Sequence, residues 1–259
     1  MASLVCNKGG TLMKLYHNVE SSTFPDTIRL YTHNCRLYDT GITSRYRTFF
    51  VQGDQPLYLK IGGKGSLLGE KQMLSFLRST KVCAAVVAFE QDSDFDYLLT
   101  AALPGDNGTV PIHLHSPKRL AGLVGESLHR LHSLPTGGCP CIGPGQSIVE
   151  QTKGQLSRLD SRMARRLDLL GQLITDDSVV HGDFHLNDLM LNNWRLSGFT
   201  GLSHSGIGDR HYDISRALEE LSRYLGNDQY KDILLDAYGR EFIDPARLEY
   251  FNLLAQQGI

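Results

Sequence analysis

The sequence predicts an α+β chain with a small strand-rich first part and a larger helix-rich second part. Three observations carry this. Up to residue 103 the apolar residues fall mostly in short runs of β-branched and aromatic type bounded by turn residues. Beyond it they recur mainly at helical spacing. Pro104-Gly105 marks the change of composition. The chain has 259 residues, 41% hydrophobic and 21% charged, enough for two small lobes with a real core. The expected division is 1–103 and 104–259, with a connector at the end of the first part.

In the first part, TFFVQG (Thr48 to Gly53) and PLYLKIG (Pro56 to Gly62) read as a hairpin turning at Gly53-Asp54-Gln55-Pro56. GSLLGEKQMLSFLRST follows as a helix, because Leu67, Leu68, Met73, Leu74 and Leu77 share a face, with Ser66 as its cap. Val82 to Gln91 and Asp96 to Leu103 read as strands around an acidic turn. In the second part, Leu120, Leu123, Val124, Leu128 and Leu131 line one helix. A loop at Gly137 to Gln146 precedes one or two amphipathic helices, SIVEQTKGQLSRLDSRMARRLDLLGQLI. Two short strands near VVHGD and LSGFTG interrupt the helices, which resume in DISRALEELSRYL, QYKDILLDAYGREF and PARLEYFNLLAQQ.

The formal charge of −2 gives no reason to expect a nucleic acid or an anionic membrane as partner. No run of about 18 apolar residues could span a bilayer, and the first twenty residues lack the apolar core of a signal peptide. Five cysteines, two of them in Cys139-Pro140-Cys141, suit free thiols in a reducing cytoplasm.

Two groups of residues suggest chemistry. Lys60 near a strand end and Glu70 on the next helix can pair, so that the lysine grips phosphate oxygens while the carboxylate fixes its direction. Read singly, they are a solvated lysine and a surface glutamate. His181-Gly182-Asp183 follows a strand-end signal, and a carboxylate there can take a proton from a substrate hydroxyl. Read singly, it is a turn aspartate bonded to its own backbone. His185, His204 and His211 fit no metal-ligand spacing and read as structural or solvated. His113 and His115 read as an exposed loop, His129 and His132 as the edge of a core, and Trp194 as packing at a turn. The basic run Arg158 to Arg166 reads as a solvated helix face.

In this order, from the hairpin through Lys60, Glu70, the connector and VVHGDFHLNDLMLNN to LSGFTGLSHSGIGDRHYDIS, the chain resembles the aminoglycoside phosphotransferase family, whose fold is two-lobed and protein-kinase-like. YLKIG, LLGEKQMLSFL, DYLLTAALPG and SLHRLHSLPTGGCP add support. The resemblance implies ATP-dependent phosphoryl transfer with Mg2+ to a hydroxyl of an aminoglycoside or similar small molecule, of antibiotic-resistance type. It implies that Lys60 meets the α- and β-phosphates with Glu70 as partner. It places a phosphate loop at Thr40, Gly41, Ile42, Thr43 and Ser44, and a hinge for adenine from Thr100 to Ala102. It makes Asp183 the catalytic base, Asp188 a metal ligand, Asp213 a brace of the catalytic loop, and Asp209-Arg210 structural. Three departures accompany it. Asp188 stands where the family has asparagine, Gly201 stands where it has a metal-binding aspartate, and Ala255 to Ile259 lack the acids that relatives use for polycationic substrates. These leave a second possibility, a non-catalytic relative that keeps the fold and its nucleotide site.

Overall fold

The computed structural model describes residues 4–6, 12–15, 23–41 and 46–258. Among these, seven strands form one antiparallel sheet: β1 (Leu4–Cys6), β2 (Leu12–Leu15), β3 (Arg36–Asp39), β4 (Arg47–Gln52), β5 (Leu57–Gly63), β6 (Val86–Gln91) and β7 (Phe95–Ala101). The order across the sheet is β1-β2-β3-β4-β5-β7-β6. β4 and β5 are the expected hairpin, with Thr48 opposite Lys60. The alternating apolar residues Phe49, Val51, Leu57 and Leu59 are buried on one face. There they meet Phe24 and Ile28, the latter on α1 (Asp26–Thr32), which the sequence reading did not anticipate.

Helix α2 (Leu68–Phe76) lies where its periodicity placed it, with Met73 and Leu74 buried. Ser66 does not cap it. The side chain of Asp96, a fully buried residue on β7, accepts the amides of Gly65 and Leu67 at 2.9 and 2.8 Å. The strand expected from Val82 begins only at Val86, because the preceding residues are committed elsewhere. Phe199 donates its amide to the Val82 carbonyl at 2.7 Å, and Cys83 forms a single parallel bridge with Phe199. This segment therefore ties the sheet to the helical part.

The helical part contains α3 (Pro111–Leu114), α4 (Pro117–His132), α5 (Gln146–Lys153), α6 (Ser161–Gly171), α7 (Arg210–Leu225), α8 (Lys231–Tyr238) and α9 (Pro245–Gln257). Asp160, Asp209 and Asp244 cap α6, α7 and α9 by accepting first-turn amides, and Pro245 opens α9. Leu120, Val124, Leu128 and Leu131 of α4 are fully buried and share a core with α2, α7 and α8. A separate core joins α5, α6 and α9 through Val149, Leu167, Leu170, Tyr250 and Phe251. The PIHLHS segment is a short helix rather than an exposed loop. His113 is buried, its Nδ1 lies 2.9 Å from the Asn107 carbonyl and its ring packs on Trp194, while His115 is exposed.

Two small sheets sit among these helices. One joins β8 (Asp106–Asn107), β10 (Leu189–Asn192) and β11 (Arg195–Phe199), and the other joins β9 (Ser178–Val180) to β12 (Gly206–Gly208). They fix the two loops that carry His-Gly-Asp and Gly201. The result is an α+β, two-lobed, protein-kinase-like fold with a β-sheet N-terminal region and a helical C-terminal part. No helix among the described residues is long and apolar enough to cross a membrane. Cys35, Cys83, Cys139 and Cys141 are free thiols.

Candidate active site

Lys60 projects from β5 toward α2, and its Nζ lies 2.8 Å from both carboxylate oxygens of Glu70. The lysine side chain is 20% exposed and the glutamate 7%, so this is a sheltered pair and not two surface charges. The ring of Tyr46 covers the ammonium at 5.4 Å, a contact the sequence reading missed. Gly62 makes room for it, since a Cβ there would stand 2.8 Å from the Tyr46 ring and closer still to Ser66.

Thr40 and Gly41 follow β3. The Thr40 hydroxyl donates to the Thr48 carbonyl at 3.0 Å, so it is engaged in the sheet, and Gly41 adopts φ +57° with its amide on Asp39 Oδ1. Thr43 and Ser44 lie outside the described residues. At the connector, Thr100 is still within β7, opposite Tyr58. The amides of Ala101 and Ala102 donate to the carbonyls of Ala85 and Pro56 at 2.9 and 3.0 Å. Leu103 is the first residue past this ladder, and its amide makes no backbone bond among the described residues.

The His-Gly-Asp loop is held from beneath. Fully buried Asp213 of α7 accepts the amides of His181 at 2.5 Å and Gly182 at 3.0 Å. His132 of α4 completes the brace, with Nε2 3.0 Å from Asp213 and Nδ1 2.9 Å from the Tyr238 hydroxyl. Burial pushes the His132 pKa down against the pull of Asp213. The neutral ring then donates Nε2–H to Asp213 and accepts the tyrosine proton at Nδ1. Leucine spacing on α4 showed that His132 borders a core, but its partners are 81 and 106 residues away. His181 also reaches across, with Nε2 2.8 Å from the Thr200 carbonyl. Gly182 has φ +87°, and a Cβ there would fall 2.0 Å from the His204 carbonyl oxygen. Gly182→Ala is therefore expected to destabilise the protein by more than about 2 kcal/mol. An unchanged melting temperature would contradict this packing of the loop.

Asp183 emerges half-exposed beside two cations. His185 Nε2 lies 3.4 Å from its Oδ1 and Arg216 of α7 lies 3.8 Å from it. The hydrogen bond to His185, then the charges of His185 and Arg216, hold the Asp183 carboxyl below its ordinary range despite burial. His185 is also 3.4 Å from Glu220, and the two carboxylates push its pKa up to about 10. Glu220 accepts the Leu186 amide at 2.8 Å and pairs with Arg223. His185 is thus one member of a charged network and not a solvated side chain. Asp209 and His211 are structural, since Asp209 accepts the His211 amide and ring and the Arg247 guanidinium.

Asp188 follows on the same loop. Burial raises its pKa, and the hydroxyl of Thr200 is the side-chain donor it meets, 3.3 Å from Oδ1. Gly201, at φ +71°, lies against it: a Cβ on Gly201 would stand 2.8 Å from Asp188 Oδ1. No group of three or more His, Cys, Asp or Glu among the described residues is placed to hold a metal ion unaided. Mg2+ does not require one, because it typically uses one or two carboxylates together with substrate phosphates and water. Asp188 fits that role.

Beyond Arg216, a hollow of about 240 Å³ opens between α5, α7 and α9. Ile148, Gln151, Tyr212, Phe251 and Ala255 line it, and no carboxylate does among the described residues.

The described site thus comprises a sheltered strand lysine aimed by a helix glutamate and a braced His-Gly-Asp loop in the helical part. The chain belongs to the phosphotransferase enzyme family, whose model matches residues 40–251. A probable aminoglycoside 3'-phosphotransferase of Lactococcus lactis is 28% identical over 252 residues, covering 92% of this chain and 95% of the relative. An aminoglycoside 3'-phosphotransferase of Niallia circulans is 27% identical over 213 residues, 76% and 81% of the two chains. Among solved structures, an aminoglycoside phosphotransferase of Streptomyces rimosus superposes with a TM-score of 0.69 over 92% of this chain and 98% of its own, at 17% identity. That likeness bears on the fold alone.

Proposed function

We propose that this protein transfers a phosphoryl group from ATP to a hydroxyl of an aminoglycoside or a similar small molecule, with Mg2+, in the cytoplasm, as an antibiotic-resistance enzyme does. The observation that carries the reading is the Lys60–Glu70 pair at 2.8 Å, set in the same fold as a half-exposed Asp183 whose loop is braced by Asp213. Lys60 would hold the α- and β-phosphates, with the turn at Thr40 and Gly41 after β3 on the same side of the sheltered pair. The division near residue 103 separates this nucleotide lobe from the acceptor lobe. Adenine would lie along Thr100 to Ala102, where the Leu103 amide is free of the ladder and suits a ring nitrogen. Asp183, held ionised by His185 and Arg216, would orient the acceptor hydroxyl and receive its proton. Asp188 would hold Mg2+, which when bound neutralises the phosphate charge. The acceptor would occupy the hollow next to Arg216. An ADP- and streptomycin-bound structure of the Streptomyces rimosus phosphotransferase supports a nucleotide and a small-molecule acceptor as ligands.

Phosphoryl transfer from ATP and Mg2+ across a panel of aminoglycosides tests this. Turnover is expected, and Asp183→Asn should lower it by about 10²- to 10⁴-fold, the range of a lost general base. No turnover above that of the variant, from folded protein, would overturn catalysis. It would favour the second reading, a non-catalytic nucleotide-binding relative, which the missing side chain at Gly201 supports.

A further inference from the structure

A second hollow, of about 260 Å³, lies between α5, α6 and α9. Thr152 of α5 borders both this hollow and the one beside Arg216, but Tyr212, Arg216 and Phe251 line the first and not the second. Its apolar walls are Val149 and Leu167, both buried, and Leu156 in the turn after α5. Gly171 of α6 keeps one side clear, since a Cβ there would stand 3.3 Å from Val149 Cγ1 and 3.5 Å from the Tyr250 ring.

Two hydroxyls at this hollow, Thr152 Oγ1 and the Tyr250 phenol, have no hydrogen-bond partner among the described residues. Thr152 is 2% exposed and Tyr250 1%, so bulk water does not meet them. They are neighbours, because the threonine hydroxyl opposes the rise that burial gives the Tyr250 pKa, yet no hydrogen bond joins them. A sheltered hydroxyl in that condition is stabilised by a molecule that brings it a donor or an acceptor. The charged side chains at the hollow, Lys153 and Asp168, are exposed and opposite in sign, and Lys153 already pairs with Glu150. A charged ligand would bury its charge against neutral hydroxyls and apolar walls, which is costly. The chemistry suits a neutral ligand with an apolar body and a hydroxyl. A cavity of about 150 Å³ accepts a benzene ring, so one ring with its hydroxyl fits here.

We propose that this hollow is a second small-molecule site, distinct from the hollow beside Arg216, which takes a neutral one-ring molecule and holds its hydroxyl on Thr152 and Tyr250. The site stands independently of the phosphotransferase reading.

The test uses phenol as the probe, titrated into the full chain by calorimetry, with methyl NMR shifts to locate it. Saturable binding with a Kd of about 1 mM or tighter is expected, with shifts at the methyls of Val149, Leu156 and Leu167. Tyr250→Phe and Thr152→Val should each weaken binding by about three- to tenfold, the value of one hydrogen bond. Neither should lower the thermal midpoint, because each removes a hydroxyl that the protein alone leaves unmet. That second readout separates a ligand site from a structural role. No saturable binding overturns the proposal. So do shifts confined to Ile148 and Leu254, which line the hollow beside Arg216, and so does unchanged affinity in both variants. A lowered midpoint in Tyr250→Phe overturns it as well, because the hydroxyl would then already be met by an ordered water.

Discussion

Lys60→Met is expected to weaken ADP binding by about 10- to 100-fold, the value of a hydrogen bond to a charged phosphate. It should also destabilise the empty protein. Glu70 is 7% exposed, and its two oxygens share the one ammonium. Removing the lysine leaves that carboxylate sheltered and without its cation, which typically costs about 3–5 kcal/mol when one partner of a buried pair is lost. Glu70→Gln separates the two effects. It keeps the lysine charge for phosphate while releasing its direction, so nucleotide affinity should fall less than in Lys60→Met. Calorimetry and urea denaturation of the two variants check both points. Lys60→Met with unchanged affinity would remove the lysine from the phosphate site. Lys60→Met with unchanged stability would mean that Glu70 finds solvent when its partner goes.

Asp213→Asn should be the most destabilising of the conservative changes, by about 3–5 kcal/mol. The fully buried carboxylate accepts from two backbone amides and from His132. An amide in its place turns an NH2 toward at least one of those donors, so part of the set is left unmet. Burial raises the Asp213 pKa, but the hydrogen bonds from His132 and from the Gly182 amide outweigh it and hold it below the ordinary value. The sign follows. An aspartate lowered in the fold contributes stability that is present above its unfolded pKa of about 4 and is lost as pH falls through the folded value. His132 is lowered as well. Its contribution is present above about pH 6.5 and declines as the pH drops below that. Wild-type stability should therefore begin to fall below about pH 6.5 and fall further below about pH 4. Asp213→Asn should be weaker at neutral pH and lack the steeper acid limb. Urea midpoints measured across this range decide it, and parallel curves for the two proteins would refute the brace.

The sequence showed most of the frame, for identifiable reasons. Alternation in TFFVQG and PLYLKIG and the leucine spacing of α4 are local signals, and the elements lie where those signals put them. The Lys60–Glu70 spacing could be read because strand, turn and helix are consecutive. What escaped was tertiary. Tyr46 over the ammonium and Tyr238 behind His132 are contacts between segments, with no local pattern to announce them. His113 alternates with His115 in a way that suggests extended chain, yet Pro111 starts a helix and Trp194 covers the ring. The contact of Asp188 with Gly201 could be inferred only by pairing β10 with β11 in the right register, and a bulge between Met190 and Leu191 shifts that register partway along.

Asp96 has a consequence for how this chain can change in length. Its carboxylate, on β7, clasps the amides of Gly65 and Leu67 and the side chain of Gln91, so a neighbouring strand sets the gauge of the β5–α2 turn. The exposed stretch Gly63-Lys64-Gly65-Ser66 has the look of a segment that tolerates insertions. Any residue added there would pull α2 off this clasp and carry Glu70 out of register with Lys60. Lineages of this protein should therefore vary freely in length at the exposed Asn227-Asp228-Gln229 turn and hardly at all from Gly63 to Ser66, although both lie on the surface.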